Sequence, residues 1–241
     1  MNFDHPTVVS PEKWHAARKE LLREEKELTH LRDRLAARRQ AFPWVKIEQN
    51  YLFASADGPV TLKDLFEGRS QLIIYHFMFG PGWEEGCKSC SMVADTFDAT
   101  IPHLNAKDVT LAAVSHGPVE EFLPFKQRLG WHFNWVSSNG TTFNRDFRVS
   151  FTPEEMKAGQ GEYNFEVTEI PFEELPGLSV FARGADGQIY RTYSTYGRGL
   201  DPFLSVYQFL DVTPKGRNED PERTMSWVRH HDRYETAGVT R

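Results

Sequence analysis

From Leu72 to Phe79 the chain reads LIIYHFMF, a run of β-formers of the length and character of a buried strand. Gly80, Pro81 and Gly82 break it. Ser91, Met92, Val93, Ala94 and Phe97 then start an amphipathic helix. Upstream, Ser10 is placed as an N-cap and Pro11 at a first helical position, opening a helix to about Ala41. Its apolar stripe is narrow: Leu21, Leu28 and Leu35 recur every seven residues, with Trp14 in phase and Leu31 beside them. Such a stripe either packs along its own domain or pairs with a second subunit.

Phe42-Pro43 ends that helix, and Val45 to Phe53 alternates as one strand. Asp57-Gly58 marks a hairpin turn, Val60 to Leu62 a return strand and Lys63 to Phe66 a helical turn. Downstream, Asp108 to Val114 is a buried strand, Val119 to Leu129 a helix stopped by Gly130, and Trp131 to Val136 a short strand. The order β, α, β, α, β implies parallel core strands with right-handed crossovers. Asn139 to Phe172 is irregular and reads as a surface insertion, although its length also suits a cover for a site. Gly177–Ala182 and Gln188–Ser194 flank an Asp186-Gly187 turn as a second hairpin, and Asp201-Pro202 opens a helix through Leu210. From Thr213 onward the chain is polar, with a short helix expected near Met225, Trp227 and Val228 and then a frayed tail.

The chemistry sits between the strand and the helix. Cys87 and Cys90 form a C-x-x-C, and they are the only cysteines in 241 residues. That order puts both sulfurs at a helix N-terminus, where unpaired N–H groups favour the thiolate that redox chemistry needs. Cys87, nearer the helix start, is the expected attacking thiolate, and Cys90 the expected resolving thiol. The pair also fits half of a zinc site or plain packing. A four-cysteine site is impossible within one chain, and no His pair with ligand spacing follows the cysteines.

Composition narrows the partners. Net charge is −6, so general attraction to nucleic acid or anionic membrane is not expected. No apolar run approaches a membrane span. Met1 to Ser10 lacks the basic start and apolar core of a secretory leader. Two cysteines make no disulfide scaffold, so the expected compartment is the reducing cytoplasm, where a C-x-x-C is redox-active more often than structural.

Residues 44–210 resemble the thioredoxin superfamily in its peroxiredoxin-like branch. The Asp57-Gly58 hairpin, the strand–C-x-x-C–helix unit, the Val109–Gly130 unit with Ser115, and Pro176-Gly177-Leu178-Ser179-Val180-Phe181 followed by Asp186-Gly187 carry the likeness. Over nearly the whole chain the sequence is also similar to a bacterial thioredoxin-like family, domain of unknown function 899, described as predicted dithiol–disulfide oxidoreductases; the N-terminal charged helix, Tyr75–Ser91, Tyr193–Asp201 and Asp211–Arg217 carry that match. The resemblance implies an α/β thioredoxin-like fold: a central mixed sheet flanked by helices, with an added charged N-terminal helix. It implies residues 1–43 as that helical extension, 44–213 as the domain with its insertion at about 139–172, and 214–241 as a polar tail.

It further implies that Pro176, preceded by Leu175, is a cis-proline beside the thiols. Thioredoxins carry such a proline there, with a neighbouring backbone left open to substrate, where peroxiredoxins carry an arginine. The Gly80–Gly86 loop also lacks the hydroxyl residue of peroxiredoxins. Both features favour dithiol–disulfide exchange without a bound cofactor, using a disulfide-containing protein or a small thiol compound as substrate and an external reductant. The alternatives are a thiol peroxidase and a non-catalytic redox sensor or binding module. There are departures. Trp83 stands four residues before Cys87 rather than next to it, Gly86 takes the adjacent place, and Lys88-Ser89 separates the cysteines. Lys88 is expected to support a Cys87 thiolate, with Glu84 and Glu85 opposing it if close. His76 reads as a satisfied core histidine before a proton shuttle. Arg198 reads as a partner of Asp201 before a ligand for an acidic group. His230 and His231 read as solvated, and Trp131 and Trp135 as core.

Overall fold

The computed structural model describes residues 7–235 and divides the chain into two units, Met1–Pro43 and Trp44–Arg241. The readings of the extreme N-terminus up to Pro6 and of the tail end beyond Glu235 lie outside the described residues. In the first unit, helix α1 (Pro11–Gln40) starts as its sequence dictates: the Ser10 hydroxyl accepts from Lys13 N–H, and Pro11 occupies the first turn. None of its side chains is buried.

The second unit runs β1 (Val45–Lys46), β2 (Leu52–Ser55), β3 (Gly58–Thr61), β4 (Gln71–His76), α2 (Lys88–Ala94), α3 (Phe97–Asn105), β5 (Val109–Ser115), α4 (Val119–Arg128), β6 (Asn134–Ser137), α5 (Phe143–Asp146), α6 (Pro153–Ala158), β7 (Gln160–Tyr163), β8 (Glu166–Glu169), β9 (Gly177–Arg183), β10 (Ile189–Tyr196) and α7 (Ser205–Leu210). Eight strands form one sheet in the order β1-β10-β9-β4-β5-β6-β2-β3. Strand β4 is parallel to β5 and antiparallel to β9, and β5 is parallel to β6. A cysteine-bearing strand–helix unit at the centre, parallel strands on one side and an antiparallel hairpin on the other make a thioredoxin-like fold.

The expected single strand from Val45 to Phe53 is two strands. β1 pairs with β10 and β2 with β3 and β6. Alternation reports a pleated segment but not its neighbour, so the split was invisible locally. It also forces the sheet to curl. Six chain steps from Lys46 to Leu52 reach about 20 Å, whereas six strand spacings laid flat would span about 29 Å.

Period two sorts the core onto the two faces. Leu72 and Ile74 of β4, with Ala112 and Val114 of β5, join Phe143, Phe147 and Phe181 in one cluster. Tyr75, Leu111 and Ala113 face the other way and join Phe77, Cys90, Val93, Phe122, Phe125, Trp131 and Trp135. The segment 139–172 is no mere surface insertion: Phe143 and Phe147 fill the first cluster, and Pro171 and Phe172 border the thiol cavity. The expected helix near Met225 is a turn, with Met225 itself in the left-handed region at φ 61°. His230 is not solvated: it is 1% exposed and packs against Phe125. His231, more exposed, has its Nδ1 2.6 Å from Asp95 Oδ1.

His76 is a core histidine, packed beside the Phe143 and Phe147 rings, with Nε2 2.9 Å from Ser179 Oγ. Burial lowers its pKa to about 3. Between pH 6.5 and 3 the unfolded chain therefore holds a proton there that the native chain refuses. Stability should fall as pH drops through that window, by up to about 1.4 kcal/mol per unit. Urea unfolding of wild type and His76→Asn at several pH values checks this: the stability gap should shift towards the variant on acidification, and a constant gap would refute it.

Candidate active site

The Phe77–Phe79 stretch beyond β4 stays buried, and its backbone anchors the cysteine loop: Cys87 N–H donates to Met78 O at 3.1 Å. Gly82, at φ 79°, takes a turn that L-residues resist, and its N–H donates to Glu121 Oε2 at 2.7 Å. Gly86 explains why no tryptophan stands next to the first cysteine. A Cβ there would lie 2.5 Å from the Phe77 ring and 2.9 Å from that of Phe125. Trp83 instead turns aside, its ring tilted against Phe79 and its Nε1–H donating to Glu173 Oε1 at 2.7 Å.

Cys87 is the N-cap of α2 and is partly exposed; Cys90, one turn on, is buried. Both are free thiols, 3.8 Å apart. The pair is polarised. The Cys90 thiol, donating to Cys87, is the largest cause that brings the Cys87 pKa down to about 6 against the opposing effect of burial; the N–H groups of Cys90 and Ser89 and the Ser89 hydroxyl add to it. Burial pushes Cys90 well up, with the Cys87 charge acting in the same direction, while the Tyr75 hydroxyl and Met78 N–H favour its anion. Lys88, exposed, is not among the groups that shift Cys87, contrary to expectation; the neighbouring thiol and the first-turn donors supply the shift. Glu84 does not figure either, and Glu85 is paired with Arg128 and Arg233.

The polarisation has a direct readout. In the reduced protein, alkylation of Cys87 by iodoacetamide should be half-maximal near pH 6 and flat above pH 7. Cys90→Ala should move the midpoint upward, since it removes the largest lowering cause. A wild-type midpoint at the ordinary thiol value of about 8.5 would contradict this.

Both cysteines line a cavity of about 340 Å³. Of the residues singled out from sequence, Cys87, Cys90, Leu175, Pro176 and Arg198 meet there; Trp83, Lys88 and His76 do not. His76 is excluded by period two, since Tyr75 takes the side of β4 that faces the cysteines. Arg198 stays at the rim, its Nη2 3.0 Å from Asp201 Oδ2. The Leu175–Pro176 bond is trans, the lower-energy isomer for most X–Pro bonds. The neighbouring backbone is also not open: Leu175 N–H donates to Val149 O at 2.8 Å, and Pro176 O accepts from Tyr163 Oη at 2.6 Å.

Sequence reasoning missed Tyr75, Ser89, Phe172, Leu200, Leu204, Met225 and His230. Only Tyr75 had a local signal, its place one residue from His76 on an alternating strand. His230 lies 144 positions from its partner: its Nε2 is 2.9 Å from Gly86 O, fixing the carbonyl just before Cys87, and its Nδ1 accepts from Arg128.

A family model described as "Bacterial protein of unknown function (DUF899)" matches residues 3–234. The chain belongs to that family. The DUF899 chain is similar in structure to peroxidoxin BcpB from Mycobacterium tuberculosis, at TM-score 0.45 and 11% identity over 70% of this chain and 97% of that one. It is similar to PrxQ from Xylella fastidiosa at TM-score 0.43 and 14% identity, over 70% and 94%. A protein described as the thiol:disulfide interchange protein DsbE from Chlorobium tepidum follows at TM-score 0.42 and 12% identity, over 68% and 97%. No curated protein matches the sequence. Among the described residues, no helix is long and apolar enough to cross a membrane, and no three His, Cys, Asp or Glu side chains cluster as a metal site would need.

Proposed function

We propose that this DUF899 protein is a thiol–disulfide oxidoreductase. One observation carries the reading: a partly exposed thiol with a pKa near 6 sits 3.8 Å from a buried thiol of high pKa, both on the floor of one cavity. Cys87 is then a thiolate at neutral pH and the only one of the two that substrate can reach first. Its attack on a disulfide forms a mixed disulfide and removes its charge. That loss relieves the repulsion that helps hold Cys90 protonated, while Tyr75 and Met78 N–H still favour the Cys90 anion. Cys90 then displaces the product by attacking Cys87 Sγ. An external thiol reductant restores the pair.

Peroxide reduction is the less supported chemistry, because the cavity's one arginine is 89% exposed and bonded to Asp201. A second copy of the chain, joined along the Trp14, Leu21, Leu28 and Leu35 stripe of α1, remains the proposed protein partner. Sedimentation of the full chain against Leu21→Glu/Leu28→Glu tests it, and an unchanged mass would sink it.

The deciding experiment for the enzyme is a redox titration of the Cys87–Cys90 pair by alkylation and mass shift. A reversible two-electron couple between ~−270 and ~−120 mV is the expected result. Failure to form an internal disulfide in any redox buffer would end the exchange mechanism.

A further inference from the structure

We propose that the cavity selects disulfides whose sulfurs carry uncharged, apolar substituents; this rests on the exchange chemistry above. Above the two sulfurs the walls are Met78, Val93, Phe172, Leu175, Leu200 and Leu204. Phe172 is 56% exposed at the mouth, an aromatic surface left to water until something covers it. The polar groups of the lining are already engaged. Tyr75 Oη is bonded to Cys90, Ser89 to Cys87, Gly197 N–H to Tyr163 Oη, and Arg198 to Asp201.

A carboxylate brought in beside the sulfurs would lose its hydration, and the one cation of the lining, Arg198, stays out at the exposed rim, bonded to Asp201, which is unfavourable. An alkyl or aryl group would exchange water for the walls, each buried methylene gaining about fourfold in affinity. The cavity, about 340 Å³, is at the lower end of small-molecule pockets, about 300–1,000 Å³, so it takes a whole small disulfide rather than a large one.

The step balances without another reactant. The Cys87 thiolate bonds to one sulfur of R–S–S–R′, the S–S bond breaks, and R′–S⁻ leaves with the electron pair and takes the Cys90 proton. The Cys90 thiolate then bonds to Cys87 Sγ and expels R–S⁻. The protein dithiol is oxidised by two electrons, and the substrate becomes one thiol and one thiolate.

The test is a single-turnover series on the reduced full chain at pH 7: dimethyl, dipropyl and dibutyl disulfide, bis(2-hydroxyethyl) disulfide, and glutathione disulfide. Each rate constant is divided by that of a free small thiol with the same probe, which removes intrinsic reactivity. The normalised constants should rise about fourfold per methylene until the cavity fills, and glutathione disulfide should be slowest. Phe172→Ser and Leu204→Ser, measured separately, should flatten the rise. Constants independent of chain length, or glutathione disulfide fastest, would overturn the selectivity while a reaction with bis(2-hydroxyethyl) disulfide left exchange chemistry standing. No reaction with any probe would remove both.

Discussion

Cys87→Ser reduces no disulfide above the rate of the assay's own reductant, and Cys90→Ser traps a mixed disulfide. This is the largest effect expected for the protein, and it separates the two sulfurs by role. A serine hydroxyl at position 87 is not ionised at neutral pH, so the attacking anion is gone. With Cys90 replaced, Cys87 can still attack, but the mixed disulfide has no internal thiol to resolve it. Mass spectrometry of Cys90→Ser after exposure to bis(2-hydroxyethyl) disulfide should show a single adduct on Cys87. The opposite pattern, an adduct on Cys90 in Cys87→Ser at equal rate, would reverse the assignment. The burial of Cys90 and the low pKa of Cys87 argue against that outcome.

Gly86→Ala is expected to cost about 3 kcal/mol, the upper end for overpacking. Two rings close on that position, Phe77 at 2.5 Å and Phe125 at 2.9 Å from the missing Cβ, and both belong to the core rather than to a flexible surface. At this chain length the loss corresponds to a fall in Tm of roughly 6–12 °C. Relief can come only by moving the rings or the backbone, and the backbone carries Cys87 and the carbonyl that His230 holds. The variant should therefore also displace the alkylation midpoint of Cys87. Gly82→Ala in the same loop is the contrast: its Cβ would meet nothing within 4 Å, so only the left-handed strain of about 1–2 kcal/mol applies. Thermal unfolding of both variants decides; equal stability losses would show that ring packing does not constrain Gly86.

Local signals alone determined much of this protein. The apolar run before Gly80, the Ser10-Pro11 start, the Asp57-Gly58 and Asp186-Gly187 turns and the C-x-x-C ahead of a helix are each written in a few neighbouring residues, because caps, turns and strand periods act over one or two turns of chain. They were enough for the α/β order and the two sulfurs, while the thioredoxin-like class came from the family resemblance that those pieces carry. What depends on distant partners was decided only in three dimensions. The Val45–Phe53 stretch divides between two places in a curled sheet because β10, β3 and β6 claim its ends. Tyr75 and not His76 faces Cys90 because α2 packs on one face of β4. Leu175 and Pro176 reach the thiols, but with a trans bond and their backbone groups already paired. Lys88 gives way to the Cys90 thiol and the first-turn donors, and His230, which reads as a solvated residue in a polar tail, is buried against Gly86. The physical reason is the same throughout: sequence periodicity says which residues seek burial or a hydrogen bond, whereas the partner that satisfies them is set by the closure of the whole chain.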